Sequence, residues 1–229
     1  GTSFTGSNDD FALVRINTDG SLDTSFGGGV GFLTTATGTG KVYAYRDTLP
    51  PDGKILFAGT SSKGSNDDFA LVRYNSDGSL DTSVGGGGGV RTTGVGAGND
   101  TGFGVTVQAD GKILVAGSGH NGSNSDFAVV RYNSDGSLDT GFSGDGMLIT
   151  AIGTGDDYGY SVTLRADGKI LVAGQRHNGS NFDFALVRYN SDGSLDTSFD
   201  LATTLGGTVA FTEGGSAVGL AANVQVLDA

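Results

Sequence analysis

Four short stretches carry the oxygen donors best placed to do chemistry in this chain: Asn17/Asp19/Asp23, Asn75/Asp77/Asp81, Asn133/Asp135/Asp139 and Asn190/Asp192/Asp196. Each has the form N-x-D-G-x-L-D, with oxygen donors at positions 1, 3 and 7 around a tight glycine turn. Calcium takes hard carboxylate and carbonyl oxygens, and its loops gather them at spacings of this kind. The set is incomplete, because serine stands at position 5 and no bidentate acid follows at position 12. That incompleteness favours a hairpin turn in which Asn and Asp bond nearby backbone amides. Calcium remains the alternative and the one cofactor the pattern suggests.

The other polar candidates also recur. Arg15, Arg73, Arg131 and Arg188 stand on otherwise apolar strands, where a guanidinium needs a partner, and the Asp eight residues on (Asp81 for Arg73) is the nearest supply. A structural pair in every unit is expected, since ligand sites seldom repeat identically. His120 and His177 hold equivalent places in two H-N-G-S-N loops and read as exposed turn residues. Tyr74, Tyr132 and Tyr189 alternate with the arginines, which suits packing between layers; a carbohydrate platform is the other use of such rings. An enzyme needs nucleophile, base and orienting group assembled once. Paired aspartates (Asp9-Asp10, Asp67-Asp68, Asp156-Asp157) are the nearest approach to a glycosidase pair. They read as loop residues, and the first two belong to the recurring pattern. No catalytic residue is assigned, and the chain is not expected to be an enzyme.

These residues must be positioned by strands. Of 25 acids only Glu213 is glutamate, and glycine supplies 43 of 229 residues. Aspartate and glycine favour turns over helices. Two landmarks recur with one period. Phe11, Phe69, Phe127 and Phe184 are 58, 58 and 57 residues apart, and D-G-K-I-L begins at Asp52, Asp110 and Asp167. Each unit reads as four strands, seen in Val105–Gln108, Lys112–Gly117, Asp126–Asn133 and Met147–Thr150, with counterparts at Val162–Arg165, Lys169–Gly174, Gly31–Thr35 and Val90–Thr93. The D-G and N-G pairs between them are hairpin signals. I-L-V-A and F-A-L-V are apolar at consecutive positions, whereas a sheet wet on one face alternates. Both faces of these strands must therefore be covered. The expected fold is all-β, a β-propeller-like array of four-stranded antiparallel blades with about three and a half repeats. A nine-residue calcium β-roll period is absent, and an immunoglobulin sandwich has no reason to repeat itself.

The second unit departs from the others, reading Arg46-Asp47-Thr48-Leu49 where the third reads Gly104-Val105-Thr106-Val107. A buried, unpaired Asp47 would cost several kcal/mol, roughly the transfer cost of a lone polar group. An exposed edge, a pairing with Arg46 or a local irregularity are the three ways out. The first unit is read as lacking its first two strands. Residues 1–205 form the repeat domain and 206–229 a tail, from which Thr208–Phe211 and Asn223–Leu227 are candidate closing strands for a ring of four.

The strings D-F-A-L-V-R-Y-N-S-D-G-S-L-D-T-S-F and D-G-K-I-L-V-A-G resemble the delta-60 repeat family over residues 8–200. That resemblance implies a propeller-like array in a large secreted or surface-attached bacterial protein, without an enzymatic activity. Phe211-Thr212-Glu213-Gly214 and Val226-Leu227-Asp228 resemble the opening of a cadherin-like tandem domain, which implies an adhesin or matrix component. A net charge of −12 and a pI near 4.3 argue against nucleic acid as a partner. No apolar run nears the ~20 residues of a membrane span, and without cysteine neither disulfides nor thiolate metal sites form. The expected function is a non-catalytic extracellular scaffold or adhesive module, secreted or on the cell surface, with a calcium- or glycan-binding module as alternative and a polysaccharide hydrolase or lyase further off. Expected partners are other domains of the same polypeptide or neighbouring copies joined through open strand edges, together with a glycan or other cell-surface ligand.

Overall fold

The computed structural model describes residues 1–199 apart from 5, 7, 37–39 and 63. The tail and its candidate strands Thr208–Phe211 and Asn223–Leu227 lie outside the described residues. Four antiparallel sheets follow one another along the chain. The first joins β1 (Thr2–Phe4), β2 (Asp9–Val14) and β3 (Phe32–Thr35). The second is β4 (Val42–Thr48), β5 (Ile55–Ser62), β6 (Asp67–Tyr74) and β7 (Val90–Thr93) in that order. The third repeats it with β8 (Thr101–Val107), β9 (Ile113–His120), β10 (Ser125–Tyr132) and β11 (Met147–Thr150). The fourth has β12 (Asp157–Leu164), β13 (Ile170–His177) and β14 (Phe182–Tyr189).

Register makes the sheets superposable in words. Thr2 pairs with Phe11 as Thr60 pairs with Phe69, so β1 is the end of a second strand. The first sheet thus holds the end of a second strand, Thr2–Phe4, which the sequence reading left out of the first unit. Among the described residues, the first sheet lacks a first strand and the last sheet lacks a fourth.

The expectation of double-sided burial holds for the inner sheets. Leu56, Ala58, Leu114 and Ala116 are fully buried, and so are Phe69, Leu71, Val72, Phe127, Val129 and Val130. Alternate residues serve different neighbours. Phe11 and Leu13 face forward onto Ala70, Val72 and Tyr74. Phe69 and Leu71 face forward onto Ala128, Val130 and Tyr132, and Phe127 and Val129 onto Ala185, Val187 and Tyr189. Burying such a side chain on each face stabilises by ~1.5–3 kcal/mol, so the core is a set of sheet-to-sheet layers.

The first strands begin earlier than the pattern indicates, since Thr101-Gly102-Phe103-Gly104 looked like connection and is strand. Each carries a bulge, where the pairing skips Tyr45, Phe103 or Tyr160. The A-G pair of the second strand fits this irregularity. A Cβ at Gly59, Gly117 or Gly174 would lie 1.9, 1.9 or 1.8 Å from the carbonyl oxygen of Tyr43, Thr101 or Tyr158. Asp47 lies on β4, an edge strand, and is exposed, which removes the expected burial cost.

Candidate functional site

The N-x-D-G-x-L-D elements close the turns that follow the third strands. In the first, the Asn17 amide donates to the Ser21 carbonyl and Gly20 N–H to the Asn17 carbonyl. One Asp19 oxygen accepts from both the Ser21 amide (2.9 Å) and its hydroxyl (2.6 Å). Asp77, Asp135 and Asp192 repeat this with Ser79, Ser137 and Ser194. Those serine bonds hold all four carboxyls below the ordinary aspartate range. Asn17, Asn75, Asn133 and Asn190 donate their side-chain amides to the same serines.

The seventh-position acids are tied elsewhere. Asp23, Asp81, Asp139 and Asp196 each accept Nε of Arg15, Arg73, Arg131 or Arg188 at 2.6–2.7 Å. The expected arginine–aspartate pair is therefore present in every sheet. A lysine that the sequence did not single out joins it: Lys54 on Asp81, Lys112 on Asp139 and Lys169 on Asp196, from the D-G-K turn. Burial pushes the Asp81 carboxyl up, but bonds from Lys54 and Ser83 and the charge of Arg73 outweigh it and hold it well below the usual value. Asp139 behaves alike, with Lys112, the Gly141 amide and Arg131 outweighing burial. At Asp196 the bonds from Lys169 and Ser198 are the main cause of a strong lowering. Third- and seventh-position acids thus bond different partners, and among the described residues no group of three or more His, Cys, Asp or Glu side chains gathers to hold a metal.

The arginines also reach the next sheet. Nη1 of Arg73 donates to the Ser134 carbonyl at 2.6 Å, and Arg15 and Arg131 do the same to Ser76 and Ser191. Arg15, Arg131 and Arg188 stack on Phe26, Phe142 and Phe199 at 4.5, 4.7 and 4.3 Å from the ring centres. Phe26, Val84 and Phe142, which share this place in the unit, in turn cap the following turn. A Cβ on Gly78 would come within 2.8 Å of Phe26, on Gly136 within 2.7 Å of Val84, and on Gly193 within 2.9 Å of Phe142. All three glycines have φ near +80° to +90°, so turn geometry and close packing both call for glycine there.

Other candidates resolve into structure. His120 and His177 are not exposed turn residues: each is the half-buried last residue of its strand, β9 or β13, and accepts the Gly122 or Gly179 amide at Nδ1. Tyr74, Tyr132 and Tyr189 are fully buried, and burial pushes each phenol up to about 12. The Tyr132 hydroxyl donates to Thr93 of the preceding sheet at 2.8 Å. These rings offer no face to a sugar. Of the paired aspartates, Asp9-Asp10 and Asp67-Asp68 begin strands and are not loop residues. Asp157 likewise begins a strand, β12, and is fully buried, accepting the Ile152 and Gly153 amides; Asp100 binds Val95 and Gly96 in the same way.

Sequence reading missed one arrangement. The three bulges turn Tyr45, Phe103 and Tyr160 toward one another, at 5.1 Å between successive ring centres. Tyr43 and Tyr158 extend the row at 6.4 and 6.3 Å, and Phe182 follows Tyr158 at 6.0 Å. Tyr45 and Tyr160 are 49% and 40% exposed, so this aromatic row, unlike the buried tyrosines, meets solvent. The clue in the sequence was an aromatic at one place in each first strand, beside glycine at Phe103 and Tyr160 and between Ala44 and Arg46 at Tyr45.

No curated protein matches the chain. A family profile described as a domain of unknown function (DUF5122) beta-propeller matches residues 1–26, 51–83, 108–142 and 165–199. The first three matched stretches end at or close to the residue that caps the next glycine turn, Phe26, Val84 or Phe142, and the fourth ends at their counterpart Phe199, so profile and geometry mark the same unit. With more than half of its residues matched in four repeats, this chain belongs to the DUF5122 beta-propeller family.

Proposed function

We propose that the chain is a non-catalytic, extracellular scaffold and adhesive module of a large bacterial surface or matrix protein, its repeats being of the delta-60 kind. In this reading the tail at 206–229 opens a cadherin-like domain, and the module spaces other domains of the same polypeptide. One observation carries it: the repeated charged groups hold sheet to sheet. Arg73, Asp81 and Lys54 form one cluster, and Arg73 also bonds the following turn at Ser134. A catalytic site needs groups assembled once and left free to react.

Calorimetry with calcium and with EDTA tests the structural role of the acids. An unchanged melting temperature is expected, because ion binding would have to displace Ser21 from Asp19 and Arg15 from Asp23. A calcium-dependent rise would return the turns to the metal reading.

A second reading, glycan binding, is favoured by the exposed row Tyr45–Phe103–Tyr160. An aromatic ring offers an apolar face to sugar C–H groups, and the phenol supplies a polar tip. A glycan array is the direct test. Binding that is lost in Tyr45→Ala and Tyr160→Ala at unchanged melting temperature supports this reading, and an array without hits removes it.

A further inference from the structure

Two places in the chain read His-Asn-Gly, at His120-Asn121-Gly122 and His177-Asn178-Gly179, and no other asparagine is followed by glycine. A glycine after asparagine leaves the intervening amide nitrogen sterically open, because it has no Cβ. Asn121, Gly122, Asn178 and Gly179 are exposed, and each histidine is half-buried at the end of its strand. The loops make the same bonds, although one joins β9 to β10 and the other β13 to β14.

The Gly122 amide donates to His120 Nδ1 at 3.1 Å, and the Gly179 amide to His177 Nδ1 at 3.2 Å. An imidazole nitrogen that accepts a hydrogen bond is unprotonated and basic. It sits on the amide nitrogen that is next in the chain to the asparagine carboxamide. Asn121 Oδ1 accepts the Ser123 and Asn124 amides at 2.8 and 3.2 Å, and Asn178 Oδ1 accepts those of Ser180 and Asn181 at 2.9 and 3.1 Å. Two N–H groups on one oxygen stabilise the negative charge that develops there when its carbon is attacked. The carboxamide nitrogens of Asn121 and Asn178 donate to Asp126 and Asp183, which orients both groups.

Other glycine turns differ in chemistry. Gly20, Gly78, Gly136 and Gly193 follow aspartate, whose carboxylate is a poor target for a nucleophile. Their amides donate to the carbonyls of Asn17, Asn75, Asn133 and Asn190, which are not bases. The second unit reads Ser62-Lys63-Gly64 at the place of His120-Asn121-Gly122, without the imidazole or the carboxamide.

We propose that Asn121 and Asn178 are sites of self-modification, each converted to a succinimide and then to aspartate or isoaspartate with the preceding histidine as base. His120 Nδ1 takes the proton of the Gly122 amide, and that nitrogen forms a bond to Cγ of Asn121. The Cγ–Nδ2 bond then breaks with its electron pair on nitrogen, which takes up a proton and leaves as ammonia. Water opens the five-membered ring at either carbonyl and restores the N–H of Gly122. Conversion exchanges the amide donor facing Asp126, which is 1% exposed, for a second carboxylate, so the loop loses that bond. This chemistry is independent of what the module binds.

The test incubates the full 229-residue chain in neutral buffer, followed by intact mass and by peptide mapping that separates aspartate from isoaspartate. Loss of ammonia and gain of water are expected at 121 and 178, faster in the folded chain than in urea. Glutamine keeps a hydrogen-bond acceptor but is no base. His120→Gln should therefore slow conversion at 121 by about a hundredfold, the lower end of what a positioned base supplies, and leave 178 as it was. His177→Gln should do the reverse, so each loop is the control for the other. Circular dichroism checks folding, and if one variant fails to fold the other decides. Conversion no faster when folded than in urea, or unchanged by the substitution, or slowed in both loops alike, overturns the proposal.

Discussion

Asp139 accepts from Arg131 and Lys112, and its neighbour Arg131 holds the Phe142 ring and the Ser191 carbonyl. Removing one partner of a buried pair costs about 3–5 kcal/mol, because it leaves the other charge uncompensated. Lys112 remains to compensate Asp139, so Arg131→Ala should lower unfolding stability by about 3 kcal/mol, the lower end of that range. Arg15→Ala, at a junction where a third of the side chain is exposed, should cost no more than about 1 kcal/mol; urea midpoints compare the two. Acid adds a second readout. Asp81, Asp139 and Asp196 are held below their ordinary value when folded, so the unfolded chain binds protons first as pH falls. Their contribution is full above the unfolded pKa of about 3.9 and disappears as pH drops through the lowered folded values. Melting temperature should therefore be flat from neutral pH to about 5 and fall steeply below 4. Lys54→Met should lessen that fall by removing part of what lowers Asp81.

At the scale of strands and turns, the third strand was legible almost to the residue, because D-F-A-L-V-R-Y is apolar, β-prone and closed by a D-G turn. The arginine–aspartate pairing was legible too, since an arginine in such a strand needs an acid. The first strand was only half legible. Glycines at 102 and 104 imitate a connection, whereas they are there because neighbouring chain runs close; a Cβ on Gly104 would touch Ser161 and Tyr160 of the next sheet at 3.1 Å. The exposed aromatic row was hidden for the same reason, as a bulge turns one residue out of alternation and leaves no periodic trace. The turn glycines allow a paired test. Gly20→Ala and Gly136→Ala share a positive φ, which costs a side chain about 1–2 kcal/mol. Only at 136 does the added carbon also meet Val84. In dilute solution Gly136→Ala should lose clearly more stability than Gly20→Ala by denaturant titration, and equal losses would show that the turn does not feel the neighbouring sheet.

Over the whole molecule, the sheets stabilise one another through nearest-neighbour junctions, as in other repeat proteins. Among the described residues the third sheet is covered on both sides and the first and last on one, so amide exchange should be slowest in β9 and β10 and fastest in β1, β3 and β14. The long arm of each arginine gives the row a direction, binding its own aspartate behind and a carbonyl of the following turn ahead. A junction of this design refers only to the adjoining unit and never to the total. Excising or duplicating one whole period would leave every remaining contact of the same kind as before, whereas a length change of any other size would misplace a strand at two borders. Gene rearrangement can accordingly lengthen or shorten such a protein in steps of one unit, without having to invent a new contact.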